Sequence, residues 1–383
     1  MRGRTAVWSA CGAVTLGAAA AGAWLLSLPP APVAAAAAPI AADEFHATLR
    51  ALAPTRRERP LIAVAGINDA TETTDYLMPY GILRRADVAD VQLLATEPGP
   101  VTLYPALAVE PHATIAGFDD RHPDGADYVI VPAMSRDDDP VMIEWLRSQA
   151  GKGATIIGVC AGAKVVAAAG LLDGHGATTH WYYLDELLDT HPSIHYVADR
   201  RLVVGPGVAT TTGISASMPM ALTLIEAIAG REPAARIAGD IGVTHWDARH
   251  ASDAFLFDRA FALTAIGNTA AFWRREELGL ELTPGVDEVS LALVADAWSR
   301  TYRSRATTFA RSDGAVTTRH GVRILPGQVT AGWPEERLLP PVADRQPARA
   351  LDDALDAIDA RYGADTARLV AMQLEYPRPA TSR

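Results

Sequence analysis

The 383-residue chain is 49% hydrophobic and 21% charged, the proportions of a folded body with room for two domains, or one large one with additions. Its net charge of −11 and pI near 5.4 exclude the basic stripe of a nucleic-acid footprint, so no nucleic-acid partner is expected. There are two cysteines, Cys11 and Cys160, which leaves no internal disulfide for the body if the N-terminal segment stands apart, and one thiol to explain.

Arg2 and Arg4 precede an apolar run from Ala6 to Leu28 that Pro29-Pro30 ends. Its length fits a single-pass membrane helix, and basic residues before it with none just after put the body outside the membrane. Residues 1–30 are read as this anchor, with membrane contact through residues 6–28, or as a signal segment. The Ala-rich stretch Val33–Ala42 offers cleavage sites, so a secreted form is the second reading. Trp8-Ser9-Ala10 before Cys11 lacks the aliphatic residue of a lipoprotein box. Residues 31–57 read as an Ala/Pro-rich linker and a short helix.

Residues 58–230 alternate between strand and helix patterns. Leu61–Ala65 is a short apolar strand, followed by a polar loop Asn68–Thr74 and a helix beginning near Asp75. Val91–Thr96 is a strand, and Val101–Leu103 with Leu107–Val109 a small hairpin. Tyr128–Val131 is a strand and Val141–Ala150 a helix. Tyr182–Leu188 is helical, Arg201–Gly205 and Val208–Thr211 are strands, and Ser215–Ala229 is an apolar helix. This alternation predicts a mostly parallel sheet covered on both faces, with ligands bound at the carboxyl ends of its strands.

The most informative stretch is Thr155–Trp181. The β-branched run Thr155–Val159 reads as a buried strand, Cys160 follows at once, and Val165–Ala169 begins a helix. A cysteine between a strand end and a helix start, with Gly158 and Gly162 on either side, is the layout of a nucleophile elbow. A helix N-terminus lowers a thiol pKa, so an exposed, ionisable Cys160 is expected there, with the Ala161 N–H aimed at developing negative charge. His180, twenty positions on, is the expected partner of the thiol. Asp75 falls at another strand end and is expected to meet both.

Asp75-Tyr-Leu-Met-Pro79, Val131-Pro132, Gly158-Val-Cys160-Ala-Gly162 and Ala177-Thr-Thr-His180-Trp181 together resemble the ThiJ/PfpI superfamily over about residues 60–230. The resemblance is greatest to the branch of isonitrile hydratases and AraC-type regulator ligand domains. It implies a flavodoxin-like three-layer α/β sandwich of the class I glutamine-amidotransferase-like kind. It also implies Cys160 as nucleophile, His180 as its imidazole, and Asp75 as the acid four positions before a proline that hydrogen-bonds the cysteine. The oxyanion contacts fall to the backbone at Ala161 and Ala133. Two departures stand out: Ala161 replaces the Thr usual in isonitrile hydratases, and Pro132-Ala133-Met134 replaces Pro-Gly-Gly.

In residues 231–383, Ala234–Gly242 and Ser252–Thr269 read as helices. The segment then repeats the first domain: Asp287–Trp298 matches the helix start at Asp75, Thr307–Phe309 matches Leu93–Ala95, Gly321–Pro326 matches Ala106–Pro111, and Leu338–Pro340 echoes Ile130–Pro132. This region is read as a degenerate partial copy without a nucleophile. The tail, Ala350–Tyr362 and Asp365–Leu374, forms two helices broken at Gly363, a candidate docking or homodimer face.

The sequence therefore predicts a cysteine-dependent hydratase or hydrolase acting on a small electrophile through Cys160, His180 and Asp75. The alternative is a ligand-binding or redox-sensing domain of the same fold. No cofactor is expected, and no His/Cys/Asp spacing suggests a structural metal site.

Overall fold

The computed structural model describes residues 20–32, 37–342 and 345–377. In chain order these form β1 (Leu61–Gly66), β2 (Asp69–Glu72), α1 (Thr73–Ala86), β3 (Asp90–Ala95), β4 (Val101–Tyr104), β5 (Ala108–Glu110), β6 (Ala113–Thr114), β7 (Tyr128–Val131), β8 (Thr155–Gly158) and α2 (Gly162–Ala168). They continue with β9 (Leu202–Gly205), β10 (Val208–Thr211), α3 (Ser217–Ala229), β11 (Glu276–Glu281), α4 (Glu288–Ser299), β12 (Ser304–Ala310), β13 (Val316–Thr317), β14 (Arg323–Ile324), β15 (Gln328–Val329), α5 (Pro347–Tyr362) and α6 (Ala364–Gln373).

The main sheet has seven strands in the order β9-β10-β8-β7-β1-β3-β6. Every neighbour pair is parallel except β9–β10. Strands β1, β7 and β10 are buried along their whole length, as a sheet covered on both faces requires. This is the flavodoxin-like α/β architecture expected, with a further α/β region after it.

That further region repeats the connectivity of the first. A three-stranded parallel sheet β11-β12-β15 copies β1-β3-β6. Leu61 pairs with Asp90 across β1–β3, and Glu276 with Ser304 across β11–β12. An isolated parallel bridge from Gly279 to Leu338 stands where Val64 pairs with Ile130, as the echo of Ile130–Pro132 in Leu338–Pro340 predicts. The hairpins of the two copies join: β5 pairs antiparallel with β14, through Glu110–Arg323 and Val109–Ile324, building the five-stranded sheet β13-β14-β5-β4-β2.

The helix matching needs a shift. Glu72 caps α1 by accepting from the Asp75 N–H, and Asp287 caps α4 by accepting from the Ser290 N–H. The spacing from Leu61 to Glu276 also separates Glu72 from Asp287. Asp287 is therefore the counterpart of Glu72, and Ser290 that of Asp75. The copy lacks the acid as well as the cysteine.

α1 and α4 pack together inside one apolar core that includes Leu77 and Ile82 from one helix and Leu291 and Leu293 from the other. Gly81 permits the approach: a Cβ there would lie 2.6 Å from Val289 Cγ2 and 2.7 Å from Glu288 Oε1. The tail helices dock internally, burying Leu351, Leu355 and Ile358 on α5 and Leu369 and Val370 on α6.

Two expectations are corrected. The helix placed at Ser252–Thr269 starts later, at Arg259, because the Asp258 carboxylate caps it by accepting from the Phe261 N–H at 2.7 Å. More consequential is the N-terminus, where the single-pass membrane anchor is not supported. Among the described residues no helix is long and apolar enough to cross a membrane. Residues 1–19, including Cys11, lie outside the described residues. The described part of this run, 20–27, is helical. Its end rests on protein: Arg259 donates to the carbonyls of Leu25, Leu26 and Leu28 at 3.0, 2.8 and 3.1 Å, and the Trp24 ring lies 6.3 Å from Phe257. The extracytoplasmic placement of the body rested on that anchor and loses its support with it.

Candidate active site

β8 ends at Gly158, and two residues later the chain turns sharply into α2. Cys160 makes this turn in the left-handed region, at φ 56°, a conformation that a non-glycine residue holds only when its surroundings enforce it. Here they do. The Cys160 N–H donates to Thr211 Oγ1 at 3.2 Å, and its carbonyl accepts from Thr179 Oγ1 at 3.0 Å. Gly162 is required for the same turn, since a Cβ there would stand 2.0 Å from the Val131 carbonyl oxygen. The thiol borders a cavity of about 660 Å³ whose wall includes Ala161, Ala133, Trp181, Phe257, Phe261 and Tyr302.

Cys160 is only 4% exposed, and this corrects the expected thiolate. Burial pushes its thiol well above the ordinary value, and the Asp75 and Glu72 carboxylates push it further; the Ala161 N–H pulls the other way and loses. A one-turn field from a short helix is worth less than removal of the sulfur from water beside two acids.

Asp75 lies in the first turn of α1, fully buried. Its Oδ2 accepts from the Ala133 N–H at 3.2 Å, so the donor expected at an oxyanion serves the acid instead. Its Oδ1 has no hydrogen-bond partner. Burial first, and the neighbouring Glu72 second, raise its pKa well above the carboxylate range, against the Ala133 N–H and Arg300. Thiol and carboxyl are both shifted toward their protonated forms.

His180 is differently employed. Its Nδ1 accepts from the Tyr182 N–H at 3.1 Å, which leaves Nε2 to donate to the Gln373 carbonyl at 2.9 Å. Beside it the Trp181 Nε1–H donates to the Met372 carbonyl at 2.8 Å. Together they bind two carbonyls at the end of α6. Burial lowers the His180 pKa, although Glu375 and the Gln373 carbonyl favour its charged form. Both ring nitrogens are occupied by backbone.

A family model, the DJ-1/PfpI family, matches residues 62–227. An isonitrile hydratase from Pseudomonas putida is 33% identical over 168 residues, covering 42% of this chain and 68% of that protein. The chain belongs to the DJ-1/PfpI family. The Parkinson disease protein 7 homolog of Danio rerio is 27% identical over 187 residues, or 47% of this chain and 94% of that one. The HTH-type transcriptional regulator CdhR of Pseudomonas aeruginosa is 33% identical over 99 residues, and the match spans 26% of this chain and 29% of the regulator. Among solved structures, Drosophila melanogaster DJ-1beta aligns with a TM-score of 0.44 at 22% identity, covering 49% of this chain and all of that one.

The DJ-1/PfpI domain does not enclose its cavity alone, and here the sequence reading missed residues. Arg300, at the end of α4, reaches from the second copy to the first: its Nη2 donates to Glu72 Oε1 at 2.7 Å, and its Nε to Asp296 Oδ2 at 2.8 Å. Glu72 also accepts from the Asp75 N–H at 2.6 Å and Thr74 Oγ1 at 2.8 Å. Burial foremost pushes Asp296 up to about 7, against Arg300. Burial opposes the guanidinium charge of Arg300, but Asp296 and Glu72 outweigh it and raise its pKa. The signal was present: Glu72 precedes Asp75 at capping distance. The described residues also include a group of metal-ligating type, Asp287, Glu288 and His320. Its members are already satisfied, with Asp287 paired to Arg85 and Glu288 bonded to His320 Nδ1 at 2.5 Å.

Proposed function

We propose that the chain is a cysteine-dependent hydratase of a small electrophile, with an isonitrile as the substrate class to test first. One observation carries this reading: Cys160 lines an aromatic-walled cavity, and the fully buried Asp75 behind it, its own pKa raised, acts on the thiol. The P. putida relative's name supplies the substrate class.

An isonitrile carbon takes up a proton before a nucleophile adds to it, so the reaction calls for an acid more than for a resting thiolate. Asp75 donates its proton to that carbon as the Cys160 sulfur bonds to it. The thiol proton passes to the Asp75 carboxylate, and a thioimidate results. Water then adds to the same carbon, and the C–S bond breaks as the thiol is re-formed. The net change is R–NC plus H₂O giving R–NH–CHO. The Ala161 N–H faces the sulfur throughout and is the backbone donor for charge that develops there. His180 acts by holding α6 against the cavity, not by moving the proton.

The test is to incubate the full chain with an alkyl isonitrile and follow the N-formyl product by NMR. Turnover that Cys160→Ser and Asp75→Asn abolish supports the reading. Saturable binding without turnover would instead favour the second reading, a ligand-binding domain. The observation behind that reading is the commitment of the Ala133 N–H to Asp75, which leaves the Ala161 N–H as the donor on the sulfur.

A further inference from the structure

The two copies exchange arginines. Glu72 caps α1 and is bonded by Arg300 at the end of α4; Asp287 caps α4 and is bonded by Arg85 at the end of α1. One spacing relates Glu72 to Asp287 and Arg85 to Arg300, so the two ion pairs are counterparts about the α1–α4 contact. Only one of them stands beside the cysteine. Glu72 and Arg300 border the Cys160 cavity, whereas the counterpart acid Asp287 stands three residues before Ser290, which takes the place of Asp75.

We propose that Arg300, brought in by the second copy, is a positioning residue for the Cys160–Asp75 pair: it holds the Glu72 carboxylate in place at the start of α1, beside them. This deepens the hydratase reading and rests on it for its meaning in catalysis. Three donors bond the Glu72 carboxylate: the Asp75 N–H, the Thr74 hydroxyl and the Arg300 guanidinium. Its side chain is 7% exposed and that of Arg300 13%. Without Arg300 that carboxylate would be buried without its cation, which is strongly unfavourable. The other charged or titratable groups that act on the thiol and Asp75 or line the cavity are Asp296 on α4, Glu375 after α6, His180, Asp137, Lys164 on α2, and Tyr104, Tyr182, Tyr183 and Tyr302. Lys164 is bonded by Asp137 and Glu186 at 2.6 and 2.8 Å, and Asp296 by Arg300 itself. Glu72 raises both Asp75 and Cys160, and Arg300, whose own charge lowers Asp75, holds it in place.

The test is the pH profile of Cys160 alkylation by iodoacetamide, read by intact mass on the full chain, for wild type, Glu72→Gln, Arg300→Gln, Arg300→Lys and the Glu72→Gln/Arg300→Gln double variant. The midpoint reports how tightly the sulfur holds its proton, and the plateau at high pH reports access. Glu72→Gln keeps the cap's shape and lowers the midpoint, which raises the rate at pH 7 roughly three- to tenfold, tenfold being one pH unit. Arg300→Gln lowers it equally, the double variant lowers it no further, and Arg300→Lys returns it toward wild type. A midpoint that stays or rises in Arg300→Gln overturns the proposal, as does an additive double variant. Should Arg300→Gln not fold, an unmoved midpoint in Glu72→Gln is enough to overturn it. Alkylation needs no substrate, so a chain that fails to hydrate isonitriles yet shows these shifts would refute the hydratase reading alone.

Discussion

His180 donates its Nε2–H to the Gln373 carbonyl oxygen at 2.9 Å, and this contact ties the rim of the thiol cavity to the chain's last helix. Replacing it should therefore act first on docking. His180→Ala removes a buried donor and leaves a helix-end carbonyl unpaired, at a cost of about 1–3 kcal/mol. Trypsin should cut the tail at Arg368 faster in the variant, and thermal unfolding should begin earlier. Turnover lost with the tail still protected would contradict this role. The pH dependence has a definite sign. Burial lowers the folded-state pKa below 6.5, so the contribution of neutral His180 is present above pH 6.5 and is lost as pH falls through the lowered value.

Asp75 carries the opposite sign. Its folded pKa is raised, so the stability that comes with its protonated form is present in acid and is lost as pH rises through the raised value. Asp75→Asn, which cannot ionise, should unfold at a higher temperature than wild type in alkaline buffer while its hydration activity falls 10²–10⁴-fold, the usual worth of an acid catalyst. A variant less stable than wild type at every pH would show that the carboxyl is needed for packing and not for its proton.

Cys160 should react more slowly than free cysteine at pH 7. Its thiol is pushed above the ordinary value of 9.0 by burial, Asp75 and Glu72, which depletes the thiolate that alkylators attack. Stopped-flow alkylation against free cysteine across a pH series checks this, and a midpoint below that of free cysteine would rule it out.

Gly162→Ala should be among the most damaging single-methyl changes in the chain. The added carbon would meet the Val131 carbonyl at 2.0 Å and the Pro132 backbone at 2.9 Å. Neither is the flexible end of a side chain, so the elbow or β7 must move, at a cost above about 3 kcal/mol. Denaturant unfolding measures it, and a loss under 1 kcal/mol would mean that the turn is softer than its geometry implies.

Residues 58–230 made alone should be insoluble or bind hydrophobic dyes strongly. α1 is buried on nearly every face, and part of that burial comes from Val289 and Leu293 on α4. Removing the second half exposes Leu77, Ile82 and the Gly81 surface as one apolar patch. A monomeric, cooperatively folding fragment would show the halves to be independent.

Much of this was legible beforehand, and for local reasons. Short apolar runs set the parallel strands, and the Gly158-Val-Cys160-Ala-Gly162 elbow announced itself because only a strand-turn-helix needs small residues on both sides of a nucleophile. The repeat could be read because Leu338–Pro340 echoes Ile130–Pro132. The sequence did not reveal which residues the fold brings together from far apart. That His180 turns to Gln373, that the thiol stays protonated, and that Arg300 crosses from one copy to the other to hold Glu72 all depend on contacts separated by 193, 85 and 228 residues. Propensity and motif act over a few neighbouring positions, whereas proton affinity is set by burial and charge summed over everything packed nearby, which exists only once the chain has closed on itself.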